Sequence, residues 1–259
     1  DKTDYILNCT LDPKKSLGYS KKETQTVKVD QVKINMHYPF TIEAGKQRYY
    51  TLCLPGTVYR DAFPDGTELY IGGELKTDNQ GKYIDIVRAD SVECGVPFVA
   101  YIPYANANKT IDIVMRSRMA VDPATSVMGN PVALKGTYLT FSASGVCNNI
   151  VENDGMPYMG KVEGEQKILP FTAYLPDEEQ VYLRNYLLLD DTGTDIEDVL
   201  EENNGKTVKV MFKRNFKKGV WSTICLPTEY SPIHFGSNTQ MEELSSAEIT
   251  ADGICTLHF

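Results

Sequence analysis

The sequence predicts an all-β protein, a β-sandwich or barrel-like fold built from an internal duplication, with very little helix. Three observations support this prediction: short segments rich in β-branched and aromatic residues, turn motifs between them, and a block that occurs twice. Helical patterning is confined to residues 123–128 and 196–202, each long enough for only one or two turns. At 42% hydrophobic residues, the 259-residue chain has ample material for a core.

The predicted strands are short runs of Val, Ile, Tyr, Phe and Thr. They cover residues 49–54, 97–102, 110–115, 138–141, 168–175, 181–189 and 207–212. Turn motifs whose residues tolerate positive φ angles separate them. These motifs are Phe63-Pro64-Asp65-Gly66, Asn153-Asp154-Gly155, Asn203-Asn204-Gly205 and Asp252-Gly253. Because Pro55 and Pro227 follow strands and lack an N–H donor, we expect each to end its ladder.

The duplication is the strongest internal signal. Residues 49–55 (YYTLCLP) match residues 221–227 (WSTICLP), an offset of 172 positions, and Phe63, Thr67 and Gly81 fall on matching residues downstream. Upstream, residues 32–34 and Phe40 match residues 208–210 and Phe216, at an offset of 176. We therefore predict a complete β module over residues 30–204 and a partial second copy over residues 205–259.

Residues 1–29 form an N-terminal segment that precedes the first copy. Its residues 5–11 are strand-like, and Thr26-Val27-Lys28-Val29 resembles Thr207-Val208-Lys209-Val210. A 55-residue second copy buries little surface by itself. We expect residues 5–11 either to complete the 205–259 lobe or to add a strand to the first domain; strand addition from a second molecule, forming an oligomer, is the alternative.

Composition and charge narrow the partners. The net charge of −9 argues against nucleic-acid binding and against docking on anionic lipid. No run of about 18 apolar residues is present, so we expect no direct membrane insertion. The chain starts at Asp1 without an initiator methionine, which we interpret as a processed chain whose signal peptide, if it had one, has been removed.

Six cysteines occur at positions 9, 53, 94, 147, 225 and 255, without any C-x-x-C spacing. This spacing excludes zinc-ribbon and thioredoxin-like motifs. We favour buried free thiols, with one or more disulfides as the alternative. Cys53 and Cys225 hold the same position in the two copies, so both should be buried and reduced.

No catalytic or metal template fits the sequence. His37, His234 and His258 lack the close spacing of a metal-binding pair, and we predict no metal or cofactor. Residues 141–145 (FSASG) lack the first glycine of a nucleophile elbow and are predicted to be a strand end turning at Gly145. Cys147 has no recognisable dyad signature.

Two further motifs are open to a binding interpretation. Residues 190–195 (DDTGTD) are dense in calcium-type oxygen ligands but do not fit EF-hand spacing, which favours a solvated turn. Exposed tyrosines around Tyr101 and Tyr104 could form a sugar-stacking platform, with strand packing as the alternative. For Tyr49 and Trp221, which are equivalent in the repeat, we expect a core role. No catalytic residue is assigned, and the 35 acidic residues do not single out a carboxylate pair.

Several short elements occur in an order that resembles a known module. They are Trp221 to Pro227 and Tyr49 to Pro55, Cys94-Gly95-Val96-Pro97-Phe98, Leu134-Lys135-Gly136-Thr137-Tyr138, Tyr158-Met159-Gly160, Phe171-Thr172-Ala173-Tyr174, Leu188-Leu189-Asp190-Asp191 and Ile196-Glu197. The module is that of secreted and cell-surface proteins of the Bacteroides group of bacteria. Cys94 stands where Ala is usual and Thr172 where Arg is usual.

The resemblance spans about residues 30–259 and implies an exported, mostly β module of the cell surface, the outer membrane or the extracellular space. It brings no catalytic motif with it. We therefore expect a non-enzymatic surface module for adhesion, display or assembly of a larger protein. The alternative is a carbohydrate-binding or carbohydrate-active protein of a glycan-utilisation system, and the expected partners are a glycan or a host or bacterial surface protein.

Overall fold

The computed structural model confirms the predicted fold class: the described part of the chain is nearly all β, and its largest sheet, of nine strands, nearly closes into a barrel. The structure describes residues 4–17, 31–45, 49–78, 81–103, 107–120, 122–153, 156–176, 178–190, 201, 204–205, 209–213, 217–222, 240, 242, 245–249 and 255–258. Within these ranges, no helix is long and apolar enough to cross a membrane.

The strands are short, as the sequence predicts, and turns or bends connect most of them. The first eleven are β1 (Asp4–Thr10), β2 (Gln31–Ile42), β3 (Tyr49–Cys53), β4 (Gly56–Tyr59), β5 (Glu68–Asp78), β6 (Gly81–Ala89), β7 (Ser91–Val92), β8 (Pro97–Tyr101), β9 (Lys109–Met119), β10 (Ser126–Val127) and β11 (Asn130–Pro131). The next eleven are β12 (Lys135–Thr137), β13 (Phe141–Ser144), β14 (Val146–Asn153), β15 (Met156–Lys161), β16 (Glu165–Ile168), β17 (Thr172–Pro176), β18 (Gln180–Arg184), β19 (Leu187–Asp190), β20 (Val210–Lys213), β21 (Ser246–Ile249) and β22 (Cys255–His258). A 3₁₀ turn spans Arg60–Ala62.

A five-stranded sheet has the order β1-β2-β9-β4-β7. Its first strand comes from the N-terminal segment: β1 pairs with β2 in parallel, with Tyr5 opposite Val32. Of the alternatives left open for residues 5–11, this pairing corresponds to the addition of a strand next to β2. Beyond β1, the buried Leu11 donates its backbone N–H to the His37 carbonyl over 2.8 Å.

A nine-stranded sheet has the order β12-β17-β14-β15-β18-β6-β5-β8-β3. It is strongly curved, so that its two edge strands, β12 and β3, lie close together and the sheet is nearly closed. At the seam, the Cys53 N–H donates to the Phe171 carbonyl over 2.9 Å. A Cβ on Gly136 would lie 2.8 Å from the Cys53 Cβ, so only glycine allows this approach. Contacts made by backbone rather than by bulky side chains thus bring the first and last strands together.

Two hydrophobic cores follow from strand alternation. On β8, Phe98 and Ala100 face a sandwich core shared with the five-stranded sheet, whereas Val99 faces the interior of the barrel-like sheet. The sandwich core also contains Met36 and Ile113, both with no exposed surface. Strands β3, β5 and β8 therefore supply side chains to both cores, which makes the two parts one structural body.

Several predicted strand boundaries are wrong. The predicted strand 168–175 is broken at Phe171, whose φ of 63° is incompatible with a continuous ladder. The predicted strand 181–189 is two strands, β18 and β19, separated by a bend at Asn185 and Tyr186. Residues 138–140 precede a strand that starts only at Phe141, and residues 123–128 contain β10 rather than helical turns. Residues 196–200 and 202 lie outside the described residues.

The chain forms two compact units, Asp1–Phe212 and Lys213–Phe259. Pro55 lies between β3 and β4, where it ends the ladder as predicted. Pro227 and Cys225 lie outside the described residues. Cys53 is buried and reduced, as predicted, and Cys9, Cys94 and Cys147 are also free thiols. The predicted boundary between the two copies at residue 204 and the duplication itself stay predictions.

Candidate functional site

Three tyrosines form a row across the outer face of the nine-stranded sheet. Tyr158, Tyr182 and Tyr83 lie on the adjacent strands β15, β18 and β6, and they are paired directly in register. Each is half-buried, while its neighbour in the chain (Met159, Val181 and Ile84) points inward and has no exposed surface. Strict alternation on three strands therefore places three rings side by side on the outside; we call them the tyrosine row.

Two of the three rings, those of Tyr158 and Tyr182, are in contact. The Tyr158 and Tyr182 centroids lie 6.0 Å apart at an interplanar angle of 60°, an edge-to-face arrangement. A Cβ built on Gly160 would lie 3.4 Å from the Tyr158 ring. This distance is an ordinary van der Waals contact, so Gly160 lies directly beside the ring.

The Arg184 side chain packs against Tyr83, one ring of the row. Its guanidinium carbon lies 3.8 Å from the Tyr83 centroid, so one face of this ring stacks on a cation. The Arg184 side chain is only 8% exposed and pairs with Asp78, its Nη1 lying 2.6 Å from the carboxylate. A buried charge with this partner has little freedom, which fixes the plane of Tyr83.

Polar side chains border the row. Gln180 donates from Nε2 to the Tyr182 hydroxyl over 3.2 Å. Lys76, the register partner of Tyr83, forms an ion pair with Asp85 at 2.7 Å. This lysine has a carboxylate partner, so it offers hydrogen-bonding groups without an unpaired positive charge.

A second group of tyrosines lies at one end of the barrel-like sheet. Tyr49 and Tyr101 pair across β3 and β8, with ring centroids 4.9 Å apart. Glu68 is the register partner of Tyr101 on the next strand, β5, and it accepts a hydrogen bond from the Tyr70 hydroxyl. Asn185 donates to that hydroxyl over 3.0 Å. We call these five residues the barrel-end cluster.

Burial controls the protonation of this cluster. Burial, followed by the hydrogen bond to Glu68, raises the pKa of Tyr70 to about 12. The pKa of Tyr49 is also raised, first by burial and then by the charge of Glu152. Both phenols therefore stay neutral donors at physiological pH. Since Arg88 also pairs with Glu68 at 3.2 Å, the network satisfies its own groups and is well suited to holding the barrel end together.

The two sites relate differently to the sequence prediction of a platform around Tyr101 and Tyr104. Tyr101 belongs to the barrel-end cluster with Tyr49, which combines packing with partial exposure; Tyr104 lies outside the described residues. The tyrosine row was missed. Each of the strands β6, β15 and β18 carries one tyrosine next to an apolar residue. The register that joins Tyr182 to Tyr83, 99 positions earlier, is not readable from local patterns.

The histidines do not converge in the described part of the chain. His37 is hydrogen-bonded through Nδ1 to the Asp112 carboxylate at 2.7 Å on the first sheet. His234 lies outside the described residues, and only the backbone of His258, in β22, is described. The described residues contain no group of three or more His, Cys, Asp or Glu side chains that could hold a metal. Of the calcium-type motif 190–195, the structure describes only the backbone of Asp190, at the end of β19.

The serine and cysteine candidates lie in ordinary strand positions. Ser142 and Ser144 are in β13, and Gly145 follows with a φ of 73°, so the predicted strand end turning at Gly145 is confirmed. Cys147 is fully buried, and its thiol donates to the Glu178 carbonyl over 3.0 Å. Burial raises the pKa of Cys147 to about 11, the opposite of what a nucleophile requires.

Trp221 departs from its expected core role, because 67% of its surface is exposed. It lies in the second unit, before residues 223–239, which are outside the described part. Tyr49, its equivalent in the first copy, is half-buried against Tyr101 and the barrel core.

Comparison with known proteins adds no relative: no family model, no curated protein and no solved structure matches this chain. Function must therefore be argued from the sites themselves.

Proposed function

We propose that this chain is a non-enzymatic recognition module of an exported surface protein, which adheres to glycans through the tyrosine row. The single observation that supports this best is the row itself: three half-exposed rings in register on adjacent strands. Rings fixed on a sheet offer a large contact area at low entropic cost, because a tyrosine has only two side-chain torsions to order.

The chemistry of the row suits a sugar. An aromatic face packs against the apolar C–H surface of a sugar ring, while neighbouring polar groups bind its hydroxyls. Gln180 borders the row on one side, and the Lys76–Asp85 pair lies on the other. The row runs across the strands, so an extended oligosaccharide would lie perpendicular to them and contact one ring per strand.

Rigidity favours recognition over chemistry. The ring of Tyr83 is held on Arg184, and the edge-to-face contact holds Tyr158 against Tyr182. A preorganised flat surface binds a ligand without enclosing one of its bonds for cleavage, and no residue is assigned a catalytic role. Export and surface display rest on the resemblance to the Bacteroides surface module, for which adhesion, display and assembly are the expected roles.

A glycan-binding screen with matched variants tests the proposal. We expect the protein to bind one or more neutral polysaccharides, and Tyr182→Ala to weaken binding about tenfold, the equivalent of 1.4 kcal/mol. Tyr182→Phe keeps the ring but loses the bond from Gln180, so its affinity should fall between those of wild type and Tyr182→Ala.

The matched control is Tyr59→Ala. Tyr59 is 46% exposed and lies at the end of β4 in the other sheet, outside the row. This variant should bind as the wild type does. Equal loss in both variants, or failure to bind any glycan in the screen, would contradict the proposal.

A further inference from the structure

Strands pair with a neighbour at the start of both copies. In the first copy β1 pairs with β2, and near the start of the second copy β19 pairs with β20. The 176-position offset, which Phe40 and Phe216 support, places residues 211–213 of β20 on residues 35–37, which lie inside β2. Strand β20 is thus the counterpart of β2, and β19 takes the place that β1 holds.

The sequences of the two partner strands support the same equivalence. At an offset of 181, Asp4-Tyr5-Ile6-Leu7 aligns with Asn185-Tyr186-Leu187-Leu188. The same offset, without any gap, aligns Thr26-Val27-Lys28-Val29 with Thr207-Val208-Lys209-Val210. Strand β19 then falls on residues 6–9 of β1. Five extra residues of the first copy, residues 30–34, account for the change of offset from 181 to 176. In this alignment residues 208–210 match residues 27–29 rather than 32–34, and Phe40 with Phe216 supports the offset of 176.

We propose that the repeating unit is residues 4–184 and that β19 is the first strand of the second copy. This unit contains 181 residues (184 − 4 + 1), the same number as the offset. It ends where β18, the last strand of the nine-stranded sheet, ends at Arg184. The N-terminal segment is then not an addition to the module but its first strand, and the second copy starts at Asn185 rather than at residue 205.

The second copy follows the first directly, and its first two residues are Asn185 and Tyr186. Asn185 donates to the Tyr70 hydroxyl of the barrel-end cluster over 3.0 Å, and burial raises the pKa of Tyr186. The neighbour of the module at the end of β18 is therefore a second copy of the same module in the same chain, and no flexible linker separates the two. This inference rests on strand pairing and repeat phase, and it stands whether or not the tyrosine row binds glycans.

The equivalence predicts the register of the second pair. In the first copy Asn8 lies opposite Asn35, and the Asn35 amide donates to Asn8 over 3.2 Å. The two offsets carry these positions to Leu189 and Met211. Strands β19 and β20 should therefore be parallel, with Leu189 directly opposite Met211, so that an apolar pair replaces an amide pair.

A double-substitution cycle on the full chain tests this register, read out as hydrogen exchange of the β20 amides. Leu189→Asn and Met211→Asn each place an amide opposite an apolar side chain, and each should lower protection about fivefold, the equivalent of one cross-strand pair. The double variant recreates the pair Asn8–Asn35 and should recover protection to within about twofold of wild type.

The control cycle combines Leu188→Asn with Met211→Asn, a pair shifted by one residue, whose effects should simply add. Protection of the nine-stranded sheet shows that every variant remains folded. Additive losses for Leu189 and Met211 would overturn the proposal. In the wild type, NOEs between β19 and β20 should show a parallel ladder, and an antiparallel ladder would also overturn it.

Discussion

At the scale of single residues, Arg184 is the most demanding group in the structure. A guanidinium that is 8% exposed is stable only because Asp78 supplies the opposite charge and Tyr83 a ring face. Burial of this kind adds little net stability by itself, but it fixes geometry: the plane of Tyr83 depends on where the guanidinium lies. Arg184 is therefore a positioning residue for the tyrosine row.

Removing the counter-charge should expose this dependence. We expect Asp78→Asn to lower the free energy of unfolding by about 3 kcal/mol, because a buried cation is left without its anion. Urea unfolding measures the change. The matched control is Asp85→Asn: the Lys76–Asp85 pair is about half exposed on both sides, so its loss should cost less than about 1 kcal/mol. Equal effects of the two substitutions would show that Arg184 is solvated.

Buried thiols form a second feature at residue scale. Burial raises the pKa of Cys53 to about 12 and that of Cys147 to about 11, from an ordinary value of 9.0. Between pH 9 and these values, the unfolded chain loses the thiol protons while the folded chain keeps them. The contribution of the two thiols to stability is therefore constant below pH 9 and falls as the pH rises above it.

Alkylation should separate these thiols from the exposed Cys9. At pH 8.5 we expect iodoacetamide to modify Cys9 within minutes and to leave Cys53 and Cys147 unmodified, because the buried thiols are neutral and inaccessible. Peptide mass spectrometry reads each site. In denaturant, all three should react at similar rates; rapid labelling of Cys147 in the folded protein would contradict its burial.

At the scale of elements, the N-terminal strand is tied to the first sheet by more than its ladder. Leu11 is buried in the sandwich core, and further along, Leu17 donates its N–H to the Tyr138 carbonyl over 2.8 Å. The segment after β1 therefore belongs to the packed body, in keeping with its assignment as the first part of the repeating unit.

Truncation of Leu11 should destabilise this attachment. Leu11→Ala removes a buried side chain from the sandwich core and should lower the free energy of unfolding by about 2–4 kcal/mol. Leu139→Ala is the control, since Leu139 is 58% exposed and its truncation should change stability by less than about 0.5 kcal/mol. Thermal unfolding followed by circular dichroism compares them. A small effect of Leu11→Ala would mean that β1 is only loosely attached.

The elements also show what local sequence can and cannot predict. Strands such as β3, β8 and β9 were found because β-branched and aromatic residues cluster between turn motifs. The break at Asn185 was missed because the apolar pattern 181–189 runs through it without a Gly or Pro. At the other break, Pro170 directly precedes Phe171, and this local signal was overlooked. Phe171 adopts its left-handed conformation where its carbonyl accepts the seam bond from Cys53, a tertiary demand that no local pattern encodes.

At the scale of the first unit, its function depends on contacts between distant parts of the sequence. The parallel pairing of β18 with β6 joins Tyr182 to Tyr83 and completes the tyrosine row. The fold class followed from composition and turns, whereas the row required this pairing. A binding surface assembled from β6, β15 and β18 exists only after the barrel-like sheet has formed, so loss of the fold and loss of the row should coincide.

The charge of the whole molecule should decide which glycans the row accepts. The net charge is −9, and the two cations beside the row, Lys76 and Arg184, are paired with Asp85 and Asp78, so an acidic polysaccharide meets repulsion without a compensating basic patch. We expect affinity for a neutral polysaccharide to change less than about twofold between 0.1 and 1 M NaCl, because stacking and hydrogen bonds are not screened. A polyuronate of similar length should bind more weakly at 0.1 M and gain affinity at 1 M, where the Debye length falls from about 10 Å to about 3 Å. Affinity electrophoresis or calorimetry at the two salt concentrations measures both ligands, with Tyr182→Ala as the control for binding at the row. Tighter binding of the polyuronate at low salt, lost at high salt, would show that positive charge governs recognition and would contradict the neutral-glycan assignment.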